Sequence, residues 1–212
     1  MNDVYAPVDR APALLSGKRI LAIAGSLRRS SWNLRLLQAA AACAPPAMSV
    51  CVYRELGAIP MFNEDIEQEA GGVPDVVKRL WHEVSAADAL LLATPEYNQS
   101  LPGVLKNAID WLSRAVPEDV LAGKPVAIMG ATSGRWGTRL AQQALRQTLH
   151  ASECMIMPAP ALHISDAARL FDRSGQLSDV ATAKALQAVL TSLGQWIDLV
   201  RPAELDERTP VA

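Results

Sequence analysis

Short, unbroken apolar runs alternate along this chain with stretches of helical periodicity, and that alternation restricts its possible folds more than any other feature. The runs are Arg19–Ala24 (RILAIA), Met48–Tyr53, Ala89–Ala93 (ALLLA), Lys124–Ala131 (KPVAIMGA) and the weaker Cys154–Met157. A continuous apolar run, rather than an alternating one, suits a strand buried on both faces. Between the runs the period changes. A helix is expected from about Trp32 to Ala44, closed by Pro45 and Pro46. Val73, Val76, Val77, Leu80, Trp81 and Val84 recur at i, i+3, i+4, i+7, with Pro74 in the first turn. Leu101, Val104, Leu105, Ala108 and Leu112 mark a third helix, with Ser100 as its expected N-cap. Thr138–Leu149 and Leu186–Val200 mark two more, and the stretch from Gly57 to Gly72 reads as a loop.

Five βα units in succession argue a parallel sheet with helices on both faces. Right-handed crossovers leave few topologies, and a closed eight-unit barrel needs more than 212 residues usually supply. The expectation is a three-layer α/β sandwich with a five-stranded parallel sheet of order 2-1-3-4-5. One domain is expected over residues 17–201, preceded by an irregular arm (1–16) and followed by a charged tail (202–212). Half of the chain is apolar, enough for a sizeable core, and the net charge is −2. No Lys/Arg cluster extends beyond Arg28-Arg29, and no apolar run reaches 18 residues, so neither a nucleic-acid nor a membrane partner is expected. Cys43, Cys51 and Cys154 are odd in number and far apart, each read as a small buried hydrophobe in a reducing, cytoplasmic setting. His82, His150 and His163 are scattered, without a ligand pattern for a metal.

In a 2-1-3-4-5 sheet the winding reverses between the first and third strands, and ligands bind there, beyond the carboxyl ends. Three loops meet at that place. Residues 25–33 (GSLRRSSWN) begin with a glycine fit for a tight turn and open a helix. Ser26, Ser31 and Asn33 offer hydrogen bonds, Arg28 can fork onto two phosphate oxygens, and the helix N-terminus favours negative charge. The loop suits a terminal phosphate monoester; it lacks the second glycine of G-x-G-x-x-G and the Lys-Ser/Thr pair of a Walker loop. Read otherwise, it is a surface turn with Ser31 as N-cap. Residues 94–103 (TPEYNQSLPG) suit the edge of a planar ring, with Pro95 ending the strand, Asn98 and backbone groups serving a polar edge and Tyr97 covering a face. Glu96 either orients neighbouring amides or is solvated. Lys106, Asn107 and Asp110 read as a polar helix face or a subunit contact. Residues 131–138 (ATSGRWGT) carry two glycines for close backbone approach, donors from Thr132, Ser133 and Gly134, and Trp136, which covers either a ring or a subunit seam; the alternative is a plain strand-to-helix turn.

On GSLRRSSWN (25–33), LGAIPMFNEDIE (56–67), TPEYNQSLPGVLKNAIDWLSR (94–114), GKPVAIMGATSGRWGT (123–138) and FDRSGQLSD (171–179), the chain closely resembles the NADPH-dependent FMN reductases, a family that includes bacterial quinone and chromate reductases. The resemblance spans roughly residues 18–200. It departs after Ser133-Gly134, where Thr138 follows Gly137 in place of a Gly-Gly pair. It implies a flavodoxin-like fold, non-covalent FMN, NADPH or NADH as hydride donor, and a homodimer or homotetramer, with the Pro60–Asp65 loop near a subunit boundary and the flavin site. It also implies that Ser26, Arg28, Ser31 and Asn33 hold the phosphate, that Pro95, Glu96, Tyr97 and Asn98 line the ring, and that Ser133 and Gly134 lie beside it. Amide dipoles of the 131–138 loop would then face charge developing at flavin N1 and O2. The implied reaction is ping-pong hydride transfer through the flavin to a quinone, chromate, azo or flavin acceptor, all small molecules. Arg135 or Arg139 could meet a 2′-phosphate. Two other readings stay open: a non-enzymatic flavodoxin-like electron carrier or redox-responsive flavin module, and a phosphosugar or nucleotide enzyme on the same sheet.

Overall fold

In the computed structural model, which describes residues 17–68, 72–114 and 119–200, strand β1 (Lys18–Ala24) pairs with β2 (Met48–Val52) on one side and β3 (Ala89–Ala93) on the other. Strand β4 (Pro125–Ala131) lies beside β3, and all of these pairs are parallel. The order is 2-1-3-4-5, as the sequence leads one to expect. The arm expected over residues 1–16 and the tail over 202–212 lie outside the described residues.

The edge beyond β4 departs from expectation: among the described residues the sheet has six strands, not five. β5 is two residues, Met155–Ile156, and covers only the start of β4. A further strand, β6 (Leu162–Ile164), covers Met129–Ala131 at its end. Pro158 and Pro160 lie between them. Neither has an N–H to offer the ladder, so the edge is filled in two pieces.

Strand residues alternate between two helical layers. Ile20, Ala22, Leu91 and Met129 face α1 (Trp32–Ala42) and α6 (Val180–Val200), meeting Leu36, Leu37, Leu190 and Leu193. Leu21, Ile23, Leu90 and Ile128 face α3 (Asp75–Ala86), α4 (Gly103–Leu112) and α5 (Arg139–Ala151), meeting Val77, Leu80, Leu105 and Leu145. These side chains are at most 4% exposed, and each one larger than Ala22 contributes roughly 1.5–3 kcal/mol by burial.

Smaller corrections have local causes. The expected loop after β2 contains a 3₁₀ turn (Leu56–Ala58) and a short helix α2 (Glu64–Gln68), too brief for periodicity to reveal. Ser100 does not cap α4; its backbone pairs with Tyr97, and Pro102 takes the N-cap position. α6 starts six residues before Leu186, where Asp179 accepts the Thr182 N–H at 2.7 Å, a bond that lowers the Asp179 pKa. Cys154 is buried and Cys43 half-buried, but Cys51 is exposed, because β2 is an edge strand with one open side. All three histidines are exposed. Among the described residues no helix is long and apolar enough to cross a membrane.

Candidate flavin site

The loops after β1, β3 and β4 close around one cavity of about 230 Å³ at the carboxyl ends of the strands. Ser26, Arg28, Ser31 and Asn33 line it from the first loop, Pro95, Glu96 and Tyr97 from the second, and Ser133 from the third. Thus eight of the ten candidate residues share a cavity; Asn98 and Gly134 are not part of its lining.

The first loop leaves a strand through Gly25, whose N–H donates to Ala93. A side chain there would press on Leu105 and Pro95. Ser31 is the N-cap of α1: its Oγ accepts the Leu34 N–H at 3.3 Å, which leaves its hydroxyl hydrogen to donate elsewhere. Asn33, 2% exposed, has a structural task that its polarity concealed. Its Nδ2 donates to Ala131 O and its Oδ1 accepts from Ala131 N, both at 2.9 Å. The side chain therefore clamps the start of α1 to the end of β4, and one Nδ2–H remains for a ligand. Arg28 is exposed, with one long contact from Nη2 to Ser30 Oγ at 3.5 Å. Among the described residues no carboxylate pairs with it. An unneutralised guanidinium, a serine hydroxyl and the first-turn N–H groups of a helix are the donor set that a phosphate dianion requires.

The second loop is a tight turn. Tyr97 and Ser100 exchange backbone hydrogen bonds at 3.0 Å, and Asn98 and Gln99 between them have φ of 50° and 65°. Asn tolerates that region; Gln99 does so at some cost. The turn leaves Tyr97 at the rim, 46% exposed, with its hydroxyl 3.5 Å from Ser26 Oγ. Glu96 resolves in favour of orienting amides. Its Oε2 accepts the N–H groups of Leu140 and Ala141 at 2.9 and 3.1 Å, capping α5 from another loop. Thr138, in the N-cap position, makes no cap bond with its side chain, because its Oγ1 accepts from Gln142 Nε2.

The third loop is tied to the segment around β6 as well as to itself. Thr132 N–H donates to Ile164 O and Gly134 N–H to Thr132 Oγ1, while Asp166 N–H donates to Gly134 O. Ser133 lines the cavity with Thr132. Trp136 lies outside, 65% exposed beneath the Arg135 guanidinium.

Sequence reading overlooked one support of this site, Gly130, and a structural role outside its lining, that of Asn107. Gly130, inside β4, has no room for a side chain: a Cβ there would collide with Thr138 Oγ1 and Thr94 O. A glycine within a strand pattern is itself the signal of such an approach. Asn107 is buried rather than a polar face. Its Oδ1 accepts Phe62 N–H at 2.7 Å and its Nδ2 donates to Pro60 O at 2.9 Å; Trp111 Nε1 donates to the same carbonyl. The Pro60–Phe62 segment is thereby fixed on α4, with Met61 turned outward, 73% exposed. Lys106 and Asp110 form an ion pair along that helix.

Residues 18–169 match the family model for NADPH-dependent FMN reductases. The chain belongs to the NADPH-dependent FMN reductase family. As a member it is a flavodoxin-like oxidoreductase that uses FMN and NAD(P)H. It is 45% identical over 183 residues to an NAD(P)H-dependent FMN reductase of Pseudomonas aeruginosa, covering 86% of this chain and 97% of that one. It is 38% identical to a quinone reductase of Pseudomonas putida, covering 86% and 96%. Among solved structures it is similar to the flavoenzyme NAD(P)H:(acceptor) oxidoreductase FerB of Paracoccus denitrificans, with TM-score 0.78 and 34% identity over 86% of this chain and 98% of that one. The family resemblance drawn from the sequence motifs is thus upheld.

Proposed function

We propose that this reductase passes hydride equivalents from NAD(P)H to small quinone-like acceptors through FMN held in the cavity at the switch point. The supporting observation is the meeting of three loops around one cavity, with Arg28 unpaired at the start of α1. In this reading Arg28, the Ser31 hydroxyl and the first-turn N–H groups hold the phosphate, with Ser26 and the spare Asn33 N–H beside them. Pro95, the Glu96 backbone and Tyr97 line the ring, Asn98 presents its backbone at the rim, and Ser133 and Gly134 lie at the polar edge. Bound FMN supplies the hydride chemistry. The chain's part is to orient the ring and to leave one face open, where donor and acceptor follow one another in ping-pong order. Quinones lead the candidate acceptors, because two relatives of similar length are quinone reductases; chromate, azo compounds and free flavin are further ones. The exposed Trp136, Leu140 and Met61 suit a homodimer or homotetramer. Light scattering should give a multiple of the 22.7 kDa chain mass, and a 22.7 kDa particle would remove that part of the reading.

The test is anaerobic mixing of the purified yellow protein with NADPH, followed by a quinone. Rapid bleaching, return of colour on adding quinone, and parallel double-reciprocal plots are expected. No bleaching with either nicotinamide would point instead to an electron carrier. Arg28→Ala should lose FMN far more readily than Lys106→Ala, whose side chain is engaged with Asp110. Equal retention would remove the phosphate assignment.

A further inference from the structure

A second cavity, of about 340 Å³, opens beside the same loop. It shares Ser26 and Arg28 with the flavin cavity, and its far wall is the Tyr53–Gly57 segment that follows β2. Arg28, Arg29 and Arg54 line it, and no carboxylate does. All three arginines are exposed, and none belongs to an ion pair among the described residues. Their neighbours along the β2 edge differ: Arg79 is bonded to Glu55 and Arg19 to Glu83, so those cations are already matched. With Arg28 given to the FMN phosphate, Arg29 and Arg54 remain as unmatched guanidinium groups around one depression in a chain of net charge −2, a local field that draws in a multiply charged anion. Guanidinium forks suit phosphate in particular. Beside Ser26, Tyr53 and Gly57, the lining has an apolar part from Ala24, Leu27, Leu34 and Leu56, and Leu27 is 54% exposed. The cavity therefore offers more than a bare anion needs; it suits a phosphate carried on a flat, weakly polar group.

We infer that this cavity binds the phosphorylated adenosine of NADPH, with Arg29 and Arg54 on the 2′-phosphate and Leu27 and Leu56 against the purine. The inference rests on the proposed reductase reading and deepens it. FMN and NADPH each bring a separate phosphate monoester. The first is met at the start of α1, with Arg28 on the wall between the two cavities. The second falls to the arginines beyond that wall. Arg135, the other sequence candidate, lies over the Trp136 ring, and neither it nor Arg139 lines this cavity.

The test is calorimetric titration of the FMN-loaded protein with 2′,5′-ADP and with 5′-AMP, for wild type, Arg29→Gln, Arg54→Gln and Arg139→Gln. Wild type should prefer 2′,5′-ADP. Arg29→Gln and Arg54→Gln should each weaken it roughly tenfold, the size of one charge-assisted hydrogen bond, with 5′-AMP little affected. The kcat/KM ratio of NADPH to NADH should fall by a similar factor in the same two variants, through KM. Absence of 2′,5′-ADP binding, equal losses for both probes, or a loss confined to Arg139→Gln would overturn the assignment. So would a loss of flavin absorbance in Arg29→Gln or Arg54→Gln, since the cavity would then serve FMN itself. Failure of the parent reading shows separately, as a wild-type flavin that neither nicotinamide bleaches.

Discussion

At the scale of single residues, polar groups in this fold divide into those that hold the chain and those left for a ligand. Asn33 exchanges two hydrogen bonds with Ala131, and Asn107 holds Pro60 and Phe62. Removing either would strand buried backbone groups at about 1–3 kcal/mol each. Arg28 and Ser133, by contrast, face the cavity without such duties. Tyr53 and Cys154 show what burial does to acids. Burial pushes the Tyr53 hydroxyl up from 10.0 to about 12, helped by the charge of Glu55, and its oxygen is buried without a partner among the described residues. Burial likewise pushes the Cys154 thiol from 9.0 to about 12, with Asp119 adding to the effect. Both groups keep their protons in the folded chain after the unfolded chain has lost them. Their share of stability is therefore complete below pH 9 and is lost as pH rises towards about 12. Thermal melts between pH 8 and pH 11 should fall less steeply for a Tyr53→Phe, Cys154→Ala double variant than for wild type. Identical slopes would show that neither proton matters.

At the scale of elements, what the sequence revealed and what it hid follow from how local each signal is. Strands β1, β3 and β4 were legible because both faces are buried and their apolar runs are unbroken. The switch point followed from strand order alone, and with it the cavity lined by most of the candidate residues. β6 stayed hidden because three residues, with His163 in the middle, carry no period, and its partner on β4 lies more than 30 residues away. Glu96 was ambiguous for the same reason, since its acceptor role depends on amides 44 and 45 residues further on. Those bonds make the loop after β3 and the start of α5 move together, next to the cavity. Glu96→Ala leaves two first-turn N–H groups open and removes a charge from the helix N-terminus, an expected loss of about 1–2 kcal/mol. FMN affinity should fall with it, and Glu96→Gln, which keeps one acceptor, should recover part of both. Melting and flavin titration of the two variants check this; a stability loss with unchanged FMN affinity would separate the cap from the site.

At the scale of the whole molecule, a doubly wound sheet whose core is packed on both faces leaves its carboxyl-end loops free to vary, and this chain has built its polar chemistry there. Family membership accounts for the oxidoreductase chemistry; in the proposed reading the anchor is a phosphate held at the start of α1, on the residues that line the cavity there. Riboflavin has the same ring and ribityl chain without that phosphate, so comparing the two flavins isolates the claim. Titrating flavin-free protein with each by fluorescence quenching should show FMN bound about 100-fold or more tightly than riboflavin, equivalent to about 2.7 kcal/mol from the phosphate contacts, with the gap shrinking as salt is added. Equal affinity for FMN and riboflavin would contradict the account.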